Sequence, residues 1–328
     1  MKKWVFSIAM AGLLATTALT GCAGGNSQSG LPKTVEVQVP AKAGGGTDVM
    51  ARALTGKVSK DSGVNVTVVN NTDGGGVVAM ETVRTAKGDG SKILQFHTTM
   101  LIKTATGVYD KSCAEDFKIF GVSQGKEKAQ YVLMVSSNAG IADLDGFLAA
   151  ASSKEMKLGI ETGGTTHILT GLFAKAANLP VKYVEAGSDT EKLTALVGGT
   201  IDGALVNVNQ AKQYVESGKA VALAVVSNGE EGARSSVLPD VPSFLEQGVD
   251  CSFNTINLFC GPKDMSDELA KKLYDYYAAA AVSEEVNATL EPAGMAMEFL
   301  PYEEGSQVVA EQQKQINEVV EELGLKQK

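Results

Sequence analysis

From Val35 to Leu323 the chain alternates short apolar runs of strand period with amphipathic runs of helix period. Glycine-rich loops repeatedly stand where a strand hands over to a helix. That alternation restricts the fold to the α/β class, because a strand, helix, strand unit closes most simply as parallel strands with the helices packed on the sheet faces. Strands are predicted at Val35–Pro40, Val64–Val69 and Lys92–Phe96, with helices over Val49–Val58 and Val77–Ala86 between them. The pattern restarts after Phe117. Strands are expected at Tyr131–Val135, Lys157–Glu161, Val181–Glu185, Ile201–Asn207 and Val221–Ser227, and helices at Asp143–Ser153, Ile168–Ala177, Thr190–Val197 and Gln210–Ser217. The last quarter reads as a strand over Phe253–Phe259 and two helices, Asp267–Val282 and Tyr302–Leu323. At 328 residues, with 44% hydrophobic and 20% charged side chains, the chain has enough apolar material for two such α/β lobes.

The first 21 residues do not belong to that fold. Lys2-Lys3, an apolar run from Trp4 to Leu19 and the ending L-T-G-C at Cys22 have the three-part layout of an export signal. The run is too short for a bilayer, which needs roughly 20 apolar residues. The L-T-G-C string resembles the lipobox of bacterial lipoproteins, which makes Cys22 the expected lipid anchor and Ala23–Gly30 a Gly/Ser-rich tether. Removing residues 1–21 takes away Lys2 and Lys3 and no acidic residue, so the net charge moves from −9 to −11. So acidic a body disfavours nucleic acid and anionic membrane surfaces as partners. Arginine occurs only at Arg52, Arg84 and Arg234, so any anion it binds must be met by something other than an arginine cluster. Cys113, Cys251 and Cys260 are expected as buried free thiols, and no metal-ligand spacing or cofactor motif occurs.

Two loops carry the expected chemistry. Gly44-Gly45-Gly46-Thr47-Asp48 and Thr162-Gly163-Gly164-Thr165-Thr166-His167 each join a strand's carboxyl end to a helix N-terminus. Glycine lets the backbone approach a ligand, and the first helical N–H groups lack internal partners and carry the positive end of the helix dipole. Either loop alone reads slightly better as an ordinary connection with capping Thr or Asp. Two of them in separate lobes favour gripping one small anion. Strand ends add His97, Thr98, Ser188 and Asn207 as further candidates. Lys42 either adds positive charge at the cleft mouth or points to solvent, and His167 is expected to orient its loop.

At these residues the chain resembles the extracytoplasmic solute receptors of tripartite tricarboxylate transporters, the Bug-type receptors. The resemblance runs in order through V-P-A-K-A-G-G-G-T-D-V-M-A-R (39–52), G-D-G-S-K-I-L (88–94), G-G-T-T-H (163–167), L-V-G-G-T-I-D (196–202) and V-L-P-D-V-P-S-F-L-E-Q-G (237–248). It implies a type II periplasmic-binding-protein fold, two α/β lobes joined by two crossover strands, with lobe 1 from 34–130 plus 255–328 and lobe 2 from 131–254. It also implies a monomeric, non-enzymatic receptor that takes a tricarboxylate, dicarboxylate, acidic amino acid or aromatic acid and passes it to integral membrane subunits. The two glycine loops are implied as the halves of its clamp. One enzymatic alternative needs testing: Gly121-Val122-Ser123-Gln124-Gly125 matches the G-x-S-x-G serine-hydrolase elbow, but too few residues follow before the next strand for the required helix.

Overall fold

A computed structural model describes residues 30–326. In chain order the elements are β1 (Thr34–Val39), α1 (Gly46–Ser62), β2 (Asn65–Asn70), α2 (Val77–Arg84), β3 (Lys92–His97), α3 (Thr99–Thr106), α4 (Cys113–Asp116) and β4 (Phe117–Gly125). There follow β5 (Ala129–Ser136), α5 (Leu144–Ala151), β6 (Met156–Ile160), α6 (Thr165–Ala176), β7 (Val181–Glu185), α7 (Asp189–Val197), β8 (Gly203–Asn207), α8 (Val208–Glu216) and β9 (Ala220–Ser227). The chain ends with β10 (Ile256–Pro262), α9 (Asp267–Ala281), α10 (Glu284–Leu290), β11 (Met297–Phe299) and α11 (Tyr302–Glu322). Export signal, Cys22 and tether lie outside the described residues.

The strands form two sheets, β11-β4-β10-β3-β1-β2 and β7-β6-β8-β5-β9. Two α/β lobes are thus the architecture, as the alternation of periods predicts. Neither sheet is purely parallel: β2, β1 and β3 run parallel, while β10 lies antiparallel to both β3 and β4. In the second sheet β5 is antiparallel to β8 and β9. The reason is connectivity. The chain leaves the first sheet at Gly125, enters the second at Ala129, and returns through residues 228–255 to lay β10 between β3 and β4.

Helices cover both faces of each sheet. On one side of the first sheet, Val35, Val37 and Val39 share a core with Ile93, Phe120, Phe259 and the α1 and α9 residues Leu54, Val58 and Tyr277. On the other, Leu94, Phe96, Leu258 and Cys260 pack with Leu101 of α3 and Ile316 of α11. Successive residues of β3 therefore serve opposite cores, as a pleat of period two requires. Burial on both faces also explains why β5 and β9 read as nearly unbroken apolar runs. Cys113, Cys251 and Cys260 are buried free thiols, with the Sγ atoms of Cys113 and Cys260 3.8 Å apart. Among the described residues, no helix is long and apolar enough to cross a membrane.

Candidate functional site

Between the sheets, where strand ends of both lobes face each other, lies a cavity of about 420 Å³. Its position agrees with the rule that open α/β sheets bind ligands beyond the carboxyl ends of their strands. One wall is the β1–α1 loop. Gly44 takes φ 80°, a left-handed backbone that glycine tolerates, and Gly45 caps α1 with extended backbone and no side-chain hydrogen bond. The first-turn N–H groups of Gly46 and Thr47 have no intrahelical acceptor, and both residues line the cavity. Met50, one turn on, and Met295, whose sulfur is 3.7 Å from where a Gly46 Cβ would stand, make this wall partly apolar.

Asp48 is the loop's internal brace. It is 2% exposed, and its carboxylate accepts the Gly44 N–H at 2.8 Å, Asn70 Nδ2 at 2.8 Å and Arg52 Nε at 3.0 Å. Burial opposes its ionisation, but the bonds from Arg52, Gly44 and Asn70 outweigh that and hold its pKa below the ordinary value. Asp48 therefore faces away from the cavity and shapes the loop.

The opposite wall belongs to the second lobe. Asn207 ends β8 and caps α8, accepting the Asn209 N–H at 3.0 Å, and Val208, Asn209 and Gln210 present the first turn of α8 to the cavity. Asp189 opens α7 beside them; its carboxylate accepts the Asn207 N–H at 3.0 Å and pairs with Lys192 at 2.7 Å. Floor and sides come from the segments that cross between lobes: Gly125, Glu127, Gln130 and Tyr131 on the way out, and Thr255, Ile256 and Asn257 on the way back.

The electrostatics are unusual for an anion site. No Lys or Arg is among the lining residues. The Glu127 carboxylate accepts the Ser236 N–H at 2.9 Å, and Asp189 is matched by Lys192. Burial, with a smaller effect from the Lys103 charge, lowers the His97 pKa to about 4, so the imidazole is neutral at pH 7. Positive potential in the cavity thus comes from the N-termini of α1 and α8, both aimed inward. Around them, Thr47, Gln130, Asn207, Asn209, Gln210, Thr255 and Asn257 supply neutral donors and acceptors.

Of the residues expected from sequence, Gly44, Gly46, Thr47, His97 and Asn207 meet at this cavity. The others do not line it, for definable reasons. Gly45 donates its N–H to Lys42 O at 3.0 Å, and the exposed Lys42 side chain faces solvent near Glu191. Thr98 is sealed against β10, where its hydroxyl accepts the Ile256 N–H at 2.8 Å. Ser188 is consumed by a capping box with Glu191 at the start of α7.

The whole second glycine loop, Thr162 to His167, is spent elsewhere. Thr162 N–H goes to Glu185 at 2.8 Å, Gly163 N–H to His167 Nδ1 at 3.3 Å, and Thr166 Oγ1 accepts the Glu161 N–H at 3.1 Å. His167 does orient its loop through that bond. A Cβ on Gly163 would stand 3.5 Å from Val108 Cγ2, and Thr165 Oγ1 is 3.1 Å from Thr99 Oγ1. The loop packs against the first lobe beside α3, in place of lining the cavity.

Sequence reasoning missed Gln130, Tyr131, Asp189, Asn209, Gln210, Thr255, Asn257 and Met295. Their one usable signal is that segments linking two lobes must pass the cleft between them. The hydrolase motif dissolves in the structure: Gly121–Gly125 lies inside β4, and Ser123 is 0% exposed. Its Oγ donates to Met297 Sδ and accepts from Asn257 Nδ2 at 3.2 Å, so no nucleophile elbow exists there.

Residues 50–325 match the family described as the tripartite tricarboxylate transporter family receptor. A Cupriavidus necator protein, the UPF0065 protein in the gbd 5′ region, is 25% identical over 329 residues, 97% of each chain. Among solved structures, the periplasmic binding protein BugD is similar with a TM-score of 0.76 at 20% identity, covering 90% of this chain and 99% of that one. MatC from Rhodopseudomonas palustris, solved with bound malate, gives a TM-score of 0.72 at 22% identity, covering 88% and 98%. Together with the two-lobe fold and its cleft, the family match over most of its length establishes that the chain belongs to the tripartite tricarboxylate transporter receptor family.

Proposed function

We propose that the protein is an extracytoplasmic receptor, tethered by lipid at Cys22, that closes its two lobes on a small carboxylate and delivers it to the membrane subunits of a tripartite transporter. The supporting observation is the convergence of the α1 and α8 N-termini on one cavity that has no Lys or Arg in its lining. Backbone N–H groups and neutral amides suffice for the task. A hydrogen bond to a charged group contributes roughly 1.5–3 kcal/mol, and micromolar affinity needs about 8 kcal/mol, so four to six donors meet it after ordering costs. BugD is a periplasmic binding protein and MatC holds malate, and both support the proposed location and ligand class. The event is lobe closure around the ligand.

A thermal-shift screen of dicarboxylates, tricarboxylates, acidic amino acids and aromatic acids, followed by calorimetry on the hits, tests the ligand class. At least one carboxylate should stabilise the protein. Stabilisation by neutral ligands alone would overturn the reading. Labelled palmitate should enter the wild type and not Cys22→Ser, and equal labelling of both would remove the anchor.

A further inference from the structure

Away from the cavity, Cys113 and Cys260 meet in the core that the first sheet shares with α3 and α11. Both are 0% exposed, and their Sγ atoms, 3.8 Å apart, leave no room for another atom between them. The two residues are 147 positions apart in the chain. Cys113 opens the four-residue helix α4, and Cys260 lies on β10 where the pairing with β4 shifts register between Phe259 and Cys260. Neither stands in the middle of a long regular element, so small local adjustments at both ends are cheap. A disulfide holds its sulfurs about 2.05 Å apart, so bonding this pair asks for about 1.8 Å of travel shared between two side chains. Cys251 belongs to the second-lobe core with Phe147 and Phe244, so of these three cysteines only Cys113 and Cys260 share a core.

Receptors of this family work outside the cytoplasm, in the kind of compartment where disulfides form and persist. We propose that Cys113 and Cys260 form a disulfide when the chain folds in such an oxidising compartment, closing a loop that contains the whole second lobe. The inference rests on the extracytoplasmic location above. Oxidation takes two electrons and two protons from the thiol pair. One thiolate attacks the disulfide of a thiol–disulfide oxidoreductase, the second displaces the resulting mixed disulfide, and the S–S bond forms between Cys113 and Cys260 while the electrons and protons leave on the oxidoreductase as its dithiol.

Timing follows from burial. Contact with Cys113, and desolvation with it, hold the Cys260 thiol well above its ordinary pKa. Thiolate is therefore scarce once the fold is complete, and exchange belongs to folding, before α4 docks on β4 and α11. The same burial then shields the bond from reductants. The closed loop runs from α4 through β4 and all of β5–β9 to β10, so the bond ties together the roots of both segments that cross between the lobes. A cross-link of that span removes more freedom from the unfolded chain than a short one does.

The test uses the full-length protein expressed with its export signal, taken from the cell envelope straight into denaturant with N-ethylmaleimide and digested without reductant for mass spectrometry. A peptide pair linked through Cys113 and Cys260 is expected, with Cys251 the one alkylated thiol of the three. Protein refolded and kept under reductant should melt about 5 °C or more below the linked form, and Cys251→Ala should retain the link. Three alkylated thiols in the envelope protein, or a link that includes Cys251, overturns the bridge and leaves the location standing. Recovery of the chain from the cytoplasm overturns the location instead. The bridge is then decided by refolding the reduced protein in mixed reduced and oxidised glutathione, where a link between Cys113 and Cys260 supports it and three free thiols overturn it.

Discussion

The hydroxyl oxygens of Thr99 and Thr165 lie 3.1 Å apart, one at the start of α3 in the first lobe and the other at the start of α6 in the second. Both side chains are buried, so this is a desolvated polar contact across the lobe boundary. Ligand affinity in a two-lobe receptor includes the free energy of closure, so a contact that joins the lobes contributes to binding without touching ligand. A neutral hydrogen bond of this kind is worth about 1 kcal/mol, or about fivefold in affinity. Thr99→Val and Thr165→Val should each weaken ligand binding by about that factor, and the double variant should lose little more than either single. Calorimetric titration of the three proteins decides it; losses that simply multiply would show that the two hydroxyls act independently.

Asp48 organises the first wall from behind. Replacing it with Ala leaves the Gly44 N–H, Asn70 Nδ2 and the Arg52 guanidinium without their shared acceptor. Arg52 is 53% exposed, so its ion pair contributes little; the buried bonds to Asn70 and Gly44 carry the effect, about 1–3 kcal/mol. Asp48→Ala should lower the melting temperature by about 3–8 °C and weaken ligand binding, because the Gly44–Thr47 backbone is no longer held in place. Asp48→Asn, which keeps the shape and part of the bonding, should fall between. Wild-type melting in Asp48→Ala would remove the bracing role.

How far the site could be read from sequence follows from how local each part is. The α1 loop was legible because glycines, a strand end and a helix start stand together in one stretch. The second glycine loop has the same local signature, but its donors are taken by Glu185 and His167 and its face by Val108, partners set by tertiary packing. Helix α3 was missed altogether. It spans only eight residues, Thr99–Thr106, two turns in which a helical period cannot be told from a short apolar run, and Met100, Leu101, Ile102, Lys103, Ala105 and Thr106 are all buried. Overlooking α3 concealed the lobe contact at Thr99. Mixed strand direction escaped for a similar reason, since β10 is placed by a return of the chain after more than a hundred residues in the other lobe.

Lys192 is a buried cation with its partners in place. It is 1% exposed and paired with Asp189 at 2.7 Å, and Asp189 in turn holds the Asn207 N–H at the α8 cap. Lys192→Met strands a carboxylate beside the cavity and should cost about 3–5 kcal/mol, readable in urea unfolding. The pair replaced together, Lys192→Met with Asp189→Asn, should recover much of that loss. A single variant as stable as wild type would mean that the ion pair does not hold α7 to α8.

His97 makes stability depend on pH in a stated direction. Its folded pKa is lowered, chiefly by burial and secondarily by Lys103, to about 4 against an ordinary 6.5. Between those values the unfolded chain binds more protons than the folded one, so stability rises with pH across the window and is lost as pH falls from 6.5 toward 4. Each pKa unit corresponds to about 1.4 kcal/mol, so the full window is worth up to about 3 kcal/mol, less what partial exposure to the cleft removes. His167, whose pKa burial also lowers, contributes in the same sense, so His97→Gln should flatten the profile only in part. The difference between wild type and His97→Gln, measured by denaturant unfolding at pH 7.5, 5.5 and 4.5, should shift steadily in favour of His97→Gln as the pH drops. A difference that stays constant over that range would mean that the imidazole titrates no differently in the folded and unfolded protein.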